Sequence, residues 1–145
     1  MVDARQSRGR FEGAVVSGVK EGAYFVGLDW VRQAIRRVTG LDPYAGTLNL
    51  RLLDADALAR WRKIRSEAGV PLTPPNSESC GGRLIPALVE DQIEAAVVVP
   101  DVTRYGDEVL ELIASVHLRT RLGLQDGDLV RLTIPADRED PRDPP

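Results

Sequence analysis

Cysteine and histidine are almost missing from this sequence: Cys80 and His117 stand alone among 145 residues. A disulfide within the chain is thereby excluded, and so is a zinc site built from Cys and His side chains. Lysine is nearly as scarce, with Lys20 and Lys63 set against seventeen arginines. Acidic side chains outnumber basic ones by 22 to 19, for a net charge of −3, so no positive surplus points to nucleic acid or a membrane surface as partner. No apolar run approaches the roughly 20 residues needed to cross a bilayer, and the polar start Met1–Arg10 does not read as a signal peptide. What is present is a hydrophobic fraction of 43%, enough for one real core in a chain of this length. The expectation is one soluble, cytoplasmic, monomeric domain over residues 1–135, with neither nucleic acid nor membrane as partner. Ala136–Pro145 (ADREDPRDPP) has no apolar side chain larger than alanine and reads as a disordered tail.

The pattern of apolar residues organises the rest. Phe11–Ser17 and Tyr24–Leu28 read as two short strands joined by the glycine-flanked stretch Gly18–Ala23, a hairpin. Asp29 is placed to cap a helix whose Val31, Ala34, Ile35 and Val38 share one face, with Gly40 at its C-terminal stop. Thr47–Leu53 alternates, Leu48, Leu50 and Leu52 on one side and Thr47, Asn49 and Arg51 on the other, as a half-buried strand does. Asp54 opens a helix to about Glu67, with Leu58, Trp61 and Ile64 on its buried side. Gly69–Gly82 (GVPLTPPNSESCGG) reads as a loop dividing the chain. Arg83–Val89 and Ile93–Val99 follow as strands turned at Glu90–Gln92. Val109–Ala114 (VLELIA) fits a helix by spacing and a buried strand by length, and periodicity does not decide between them. Leu118–Leu124 suits a helical turn, Asp126-Gly127-Asp128 a tight turn, and Leu129–Pro135 a last strand. About six strands with two inserted helices favour a small barrel over a doubly wound sheet.

Few residues are typed for chemistry. Gly13–Lys20 (GAVVSGVK) lacks the Gly-Lys-Ser/Thr order of a P-loop, and neither a GxGxxG nor a G-x-S-x-G occurs. Gly18 and Gly22 bracket a turn whose backbone N–H groups can approach a phosphate, although the spacing equally suits a plain hairpin loop. Thr47 and Asn49 put two neutral oxygens on one strand face. Such oxygens suit a hard cation when a substrate phosphate brings the charge, and they also suit a merely solvated face. Glu111 interrupts an apolar run, where a carboxylate is costly unless paired or used, or else marks the polar side of an amphipathic element.

Five blocks, in order, carry a resemblance: GAVVSGVKEGAYF at Gly13–Phe25, GLDPYAGTLNL at Gly40–Leu50, AAVVVPDVT at Ala95–Thr103, EVLELIA at Glu108–Ala114 and HLRTRLGLQDGD at His117–Asp128. Together they resemble the archaeal-type CTP-dependent riboflavin kinase family from about Gly13 to Ile134. That resemblance implies a mainly β, six-stranded cradle-loop barrel of the RIFT type with short inserted helices, which makes VLELIA a barrel strand. It implies transfer of the γ-phosphate of CTP to the ribityl 5′-hydroxyl of riboflavin, giving FMN and CDP, with Mg²⁺. Residue by residue, it assigns the nucleotide to Gly18, Val19, Lys20, Glu21, Gly22 and Ala23 and to Val116, His117, Leu118 and Arg119. It assigns the metal to Thr47 and Asn49 and the flavin to Thr103 and Glu111, with Glu111 typed as the general base. Lys20 or Arg119 would counter developing negative charge. Ser115 stands where relatives often carry proline, and Asp54–Gly82 shows little likeness. Two alternatives stay open: a kinase of the same fold with another donor or acceptor, and a non-catalytic flavin- or nucleotide-binding domain. With 12 residues before Gly13, the expectation is that no helix-turn-helix segment precedes the barrel in this chain.

Overall fold

The computed structural model describes residues 7–17, 25–44, 46–76, 81–101 and 107–136. Its elements run β1 (Ser7–Val16), α1 (Asp29–Thr39), β2 (Leu48–Leu52), α2 (Ala55–Glu67), β3 (Val70–Leu72), β4 (Gly82–Val89), β5 (Ile93–Pro100), β6 (Val109–Ala114), α3 (Leu118–Leu122) and β7 (Leu129–Pro135). Six strands close a ring in the order β4-β5-β6-β2-β1-β7, and the β4–β7 pairs Leu88↔Thr133 and Val89↔Leu132 complete it. Every pairing is antiparallel. β3 lies outside the ring, against the first half of β4, through Val70↔Leu84 and Leu72↔Gly82. The expected mainly β, six-stranded barrel is therefore what the chain forms.

Strand alternation divides the apolar residues between two cores. Leu48, Leu50 and Leu52 of β2 join Ile85, Val97, Leu112 and Leu132 in the barrel interior. Trp61 and Ile64 of α2 belong to the same cluster, with Trp61 edge-on to Phe11 at 6.3 Å between ring centres. The opposite face of β4, β5 and β6 carries Leu84, Ala96, Val98 and Ile113, and α1 covers it with Val31, Ala34 and Ile35. Two α-helical and sheet periodicities thus meet on one wall whose two sides are both dry.

Several local expectations need correction. Of the strand expected at Tyr24–Leu28, the described part from Phe25 is not extended: Phe25 and Val26 form a helical turn, with Leu28 N–H donating to the Phe25 carbonyl at 3.1 Å. β1 pairs with β2 and β7, so no hairpin forms there. Both Phe25 and Val26 are buried against the outer cluster, and two adjacent apolar residues look alike in a strand and in a helical turn. Asp29 is not the cap of α1. Leu28 takes that place, and Asp29 stands in the first turn, where its charge complements the helix dipole. The stop at Gly40 holds, with φ 76° and its N–H on the Arg36 carbonyl. Asp54 does cap α2, its side chain accepting from Asp56 N–H. The stretch read as a loop from Gly69 contains β3, and β1 begins upstream of Phe11. The helical turn expected at Leu118–Leu124 is present as α3, Leu118–Leu122. The tail beyond Ala136 lies outside the described residues. No helix among them is long and apolar enough to cross a membrane.

Candidate active site

β2 and β6 run side by side with Asn49 opposite Glu111, and Val98 of β5 is the partner of Glu111 on its other side. Because Leu48 and Leu50 face the interior, Asn49 faces outward, and Glu111 shares its face with Ile113. Outward polar residues of a barrel strand are normally wet. Here Asn49 is 6% exposed and Glu111 7%, which removes the reading of Asn49 as a solvated face. Thr47, one step before β2, donates its hydroxyl to Glu111 Oε2 at 3.2 Å, and its Oγ1 lies 3.4 Å from Asn49 Oδ1. One hydroxyl proton serves one acceptor well, and the shorter contact is with Glu111. Spending the proton there leaves Thr47 Oγ1 and Asn49 Oδ1 as two neutral lone-pair donors close together.

The donor set fits a hard cation with a coordination sphere completed by phosphate and water. It does not fit a cation held by protein charge alone: among the described residues no group of three His, Cys, Asp or Glu converges.

The segment Val116–Arg119 adjoins these residues. A small cleft of about 60 Å³ is lined by Thr47, Leu48 and Gly46 on one side and by Val116, His117, Leu118 and Arg119 on the other. Leu118 is buried in the interior cluster, which seats the segment on the barrel, and His117 is exposed. The Tyr44 ring, also in this cleft, stacks on His117 at 4.8 Å and 29°. His117 Nδ1 and Thr120 Oγ1 lie 2.5 Å apart. Backbone bonds hold the Asp42–Tyr44 stretch against the end of β6: Tyr44 N–H donates to the Ala114 carbonyl and Asp42 N–H to Ser115 Oγ. Ser115, the departure noted above, thus has a fixed partner.

On the other side of α3, Arg119 Nη2 donates to Asp126 Oδ1 at 2.8 Å and to Ser17 Oγ at 3.0 Å. Ser17 Oγ donates in turn to Asp126 Oδ1 at 2.6 Å. The hydrogen bond from Ser17 and then that from Arg119 hold the Asp126 carboxyl below the usual carboxylate range. Tyr44, Ser17 and Asp126 were not singled out by the sequence reading. Asp126 was visible only as a turn residue, and Ser17 as the end of a strand.

Gly18–Ala23, Thr103 and Cys80 lie outside the described residues. The chain leaves toward the glycine segment at Ser17, directly after Val16, which is the register partner of Asn49. It returns at Phe25, packed in the same outer cluster as Val98 and Ile113. Two larger hollows, of about 790 and 540 Å³, are lined by none of Thr47, Asn49, Glu111 or Val116–Arg119. Buried polar groups that converge are better evidence of chemistry than hollow size.

Comparison with known proteins agrees with the geometry. Residues 15–134 match the family model CTP-dep_RFKase, described as the domain of unknown function DUF120. A riboflavin kinase of Aeropyrum pernix is 35% identical over 131 residues, covering 87% of this chain and 96% of that protein. Riboflavin kinases of Thermofilum pendens and Archaeoglobus fulgidus are 38% and 39% identical over 85% and 86% of this chain. The chain spans only 57% and 54% of the length of those two relatives. By the extent of these matches, the chain belongs to the CTP-dependent riboflavin kinase family.

Proposed function

We propose that this chain phosphorylates riboflavin at its ribityl 5′-hydroxyl with CTP as donor, releasing FMN and CDP. The observation that carries the reading is the meeting of two buried groups, Glu111 and Asn49 on adjoining strands, with the half-buried Thr47 just ahead of β2. A domain that only binds flavin or nucleotide has no need of a carboxylate gathered with two neutral donors largely out of water at that cost. Family membership and the names of the relatives support the substrates.

In this reading Glu111 holds the acceptor hydroxyl and takes its proton. The hydroxyl oxygen attacks the γ-phosphorus of CTP, and the bond from that phosphorus to the β,γ-bridging oxygen breaks. The electron pair leaves with CDP, and the proton ends on the Glu111 carboxylate. Phosphoryl transfer needs little covalent help and much positioning. Gly18, Val19, Lys20, Glu21, Gly22 and Ala23 would approach the phosphates through backbone N–H groups, and Val116–Arg119 would receive the rest of the nucleotide. Thr103 would contact the flavin. Thr47 and Asn49 would hold Mg²⁺ jointly with the phosphates. Bound there, Mg²⁺ supplies neutralisation of phosphate charge. Thr47 also fixes the Glu111 carboxylate through their hydrogen bond.

The test is FMN formation from riboflavin and Mg²⁺ with CTP, UTP, ATP and GTP in parallel. FMN should appear chiefly with CTP, and chelation of Mg²⁺ should abolish it. FMN with another donor would remove the cytosine assignment of Val116–Arg119 and keep the roles of Thr47, Asn49 and Glu111; no FMN with any donor would overturn the reading. In the same assay Asn49→Ala should lower turnover by about 100-fold or more while riboflavin affinity changes little. Equal loss of both would count against a metal-binding role.

A further inference from the structure

We infer that Ser17 and Asp126 are positioning residues for the nucleotide, a latch that fixes the Arg119 side chain through one carboxylate. The inference rests on the reading that Gly18–Ala23 and Val116–Arg119 serve the nucleotide.

The latch is a closed triangle. Arg119 Nη2 donates to both Ser17 Oγ and Asp126 Oδ1, and Ser17 Oγ donates to the same Asp126 oxygen. It joins distant parts of the chain: Ser17 is 109 residues from Asp126 and 102 from Arg119, while Arg119 and Asp126 are only seven apart. Ser17 immediately precedes the glycine segment, and Arg119 ends the second segment.

The platform under Asp126 is itself rigid. Asp128 Oδ2 accepts from Gln125 N–H at 2.8 Å, and Asp128 N–H donates to the Gln125 carbonyl. Gly127 N–H donates to the Val15 carbonyl, and Val15 N–H donates to the Asp128 carbonyl, so this turn grips the end of β1 from both sides. Gly127, at φ 91°, supplies the left-handed residue that the turn requires.

The guanidinium is used economically. Nη2 alone is engaged among the described residues, which leaves the donors on Nη1 and Nε for a ligand anion. An arginine held by one nitrogen has already lost much of its rotamer freedom, so less is lost when a phosphate arrives. The same anchoring by a carboxylate also prevents the bare arginine from drifting into solvent. Removing Asp126 should weaken nucleotide binding even though Asp126 carries the same charge sign as the ligand. A simple electrostatic argument predicts the opposite sign, which makes the outcome diagnostic.

The experiment measures CDP affinity by calorimetry and KM for CTP and for riboflavin separately. The proteins compared are the parent chain, Asp126→Ala, Asp126→Asn, Arg119→Ala and the Asp126→Ala/Arg119→Ala double variant. Asp126→Ala should weaken CDP binding and raise KM for CTP by about tenfold, the size of one lost charge-assisted contact at a partly exposed site. KM for riboflavin should stay where it is. Asp126→Asn, which keeps an acceptor oxygen, should recover part of the loss. The double variant should bind CDP no worse than Arg119→Ala, because Asp126 acts through Arg119.

Unchanged or tighter CDP binding in Asp126→Ala would overturn the latch, as would additive losses in the double variant or an equal rise in both KM values. If Arg119→Ala leaves CDP binding intact, the nucleotide assignment itself fails, an outcome distinct from failure of the latch alone. Should Asp126→Ala not fold, Ser17→Ala leaves the turn bonds in place and should shift CDP affinity in the same direction. Unchanged affinity there overturns the latch.

Discussion

At the scale of single residues, the decisive fact is that a carboxylate and an amide face each other out of water on a barrel wall. Glu111 lies 7% exposed on a strand whose other described side chains are all aliphatic, and such a group is costly unless it is paired or used. Replacing it by glutamine keeps the shape and one acceptor oxygen and removes the charge and the ability to take a proton. Glu111→Gln should lower turnover by about 100-fold or more, within the span ascribed to general-base catalysis. Riboflavin binding followed by flavin fluorescence should remain. A variant that keeps the turnover would remove Glu111 from proton transfer. Thr47 and Asn49 were legible as a pair because period-2 alternation sets them on one face. Their meeting with Glu111 was not, since Thr47 and Glu111 are 64 residues apart and only the β2–β6 register brings them together. Burial of the face was equally invisible, because outward positions of a strand look the same in sequence whether wet or dry.

At the scale of elements, legibility followed the length and regularity of each pattern. β2, β4, β5 and β7 and the first two helices have repeats long enough to fix both type and place. Tyr24–Leu28 and β3 were misread because each is too short for periodicity to act, and β3 carries Pro71 as well. VLELIA was ambiguous for a physical reason: β6 is dry on both faces and apolar apart from Glu111, so alternation is erased. Contacts between elements were beyond any local pattern. Arg62 of α2 holds Asp107, two residues ahead of β6, with Nε at 2.8 Å from Oδ2 and Nη2 at 3.1 Å from Oδ1. That pair tethers the helix to the entry of the strand bearing Glu111. The hydrogen bond from Arg62 holds the Asp107 carboxyl below its ordinary range, against a smaller opposing effect of burial. A carboxyl with a depressed folded pKa contributes stability that is fully present above its unfolded pKa and is lost as pH falls through the folded value. Asp107→Asn should therefore lower the Tm at neutral pH, by no more than about 3 °C because the pair is partly exposed. The deficit should shrink below about pH 4 and vanish in stronger acid. A deficit that persists unchanged in acid would assign the effect to packing instead of charge.

At the scale of the whole molecule, one wall serves two cores. β4, β5 and β6 give alternate residues to each side: Ile85, Val97 and Leu112 inward, Leu84, Ala96, Val98 and Ile113 toward α1. The two tryptophans sit on opposite sides of it, Trp61 in the interior cluster and Trp30 packed on the outer one, edge-on to Phe25. Neither cluster can dissolve while the other persists, because each is built on the back of the other's strands. The ring adds to this coupling: its closure at Leu88↔Thr133 and Val89↔Leu132 joins the last strand to the middle of the chain. Unfolding should accordingly be a single cooperative transition seen alike from both sides. The check uses Trp30→Phe, which leaves Trp61 as reporter, and Trp61→Phe, which leaves Trp30. Within each variant, the urea midpoint by fluorescence should coincide with that by far-ultraviolet circular dichroism, even though the two variants differ in stability. An outer reporter that melts at lower urea than the sheet would show α1 and its cluster to be a separable layer. Asn49 and Glu111 share their face of the wall with Val98 and Ile113 of that cluster, so in that case activity would be lost with the layer, ahead of the barrel.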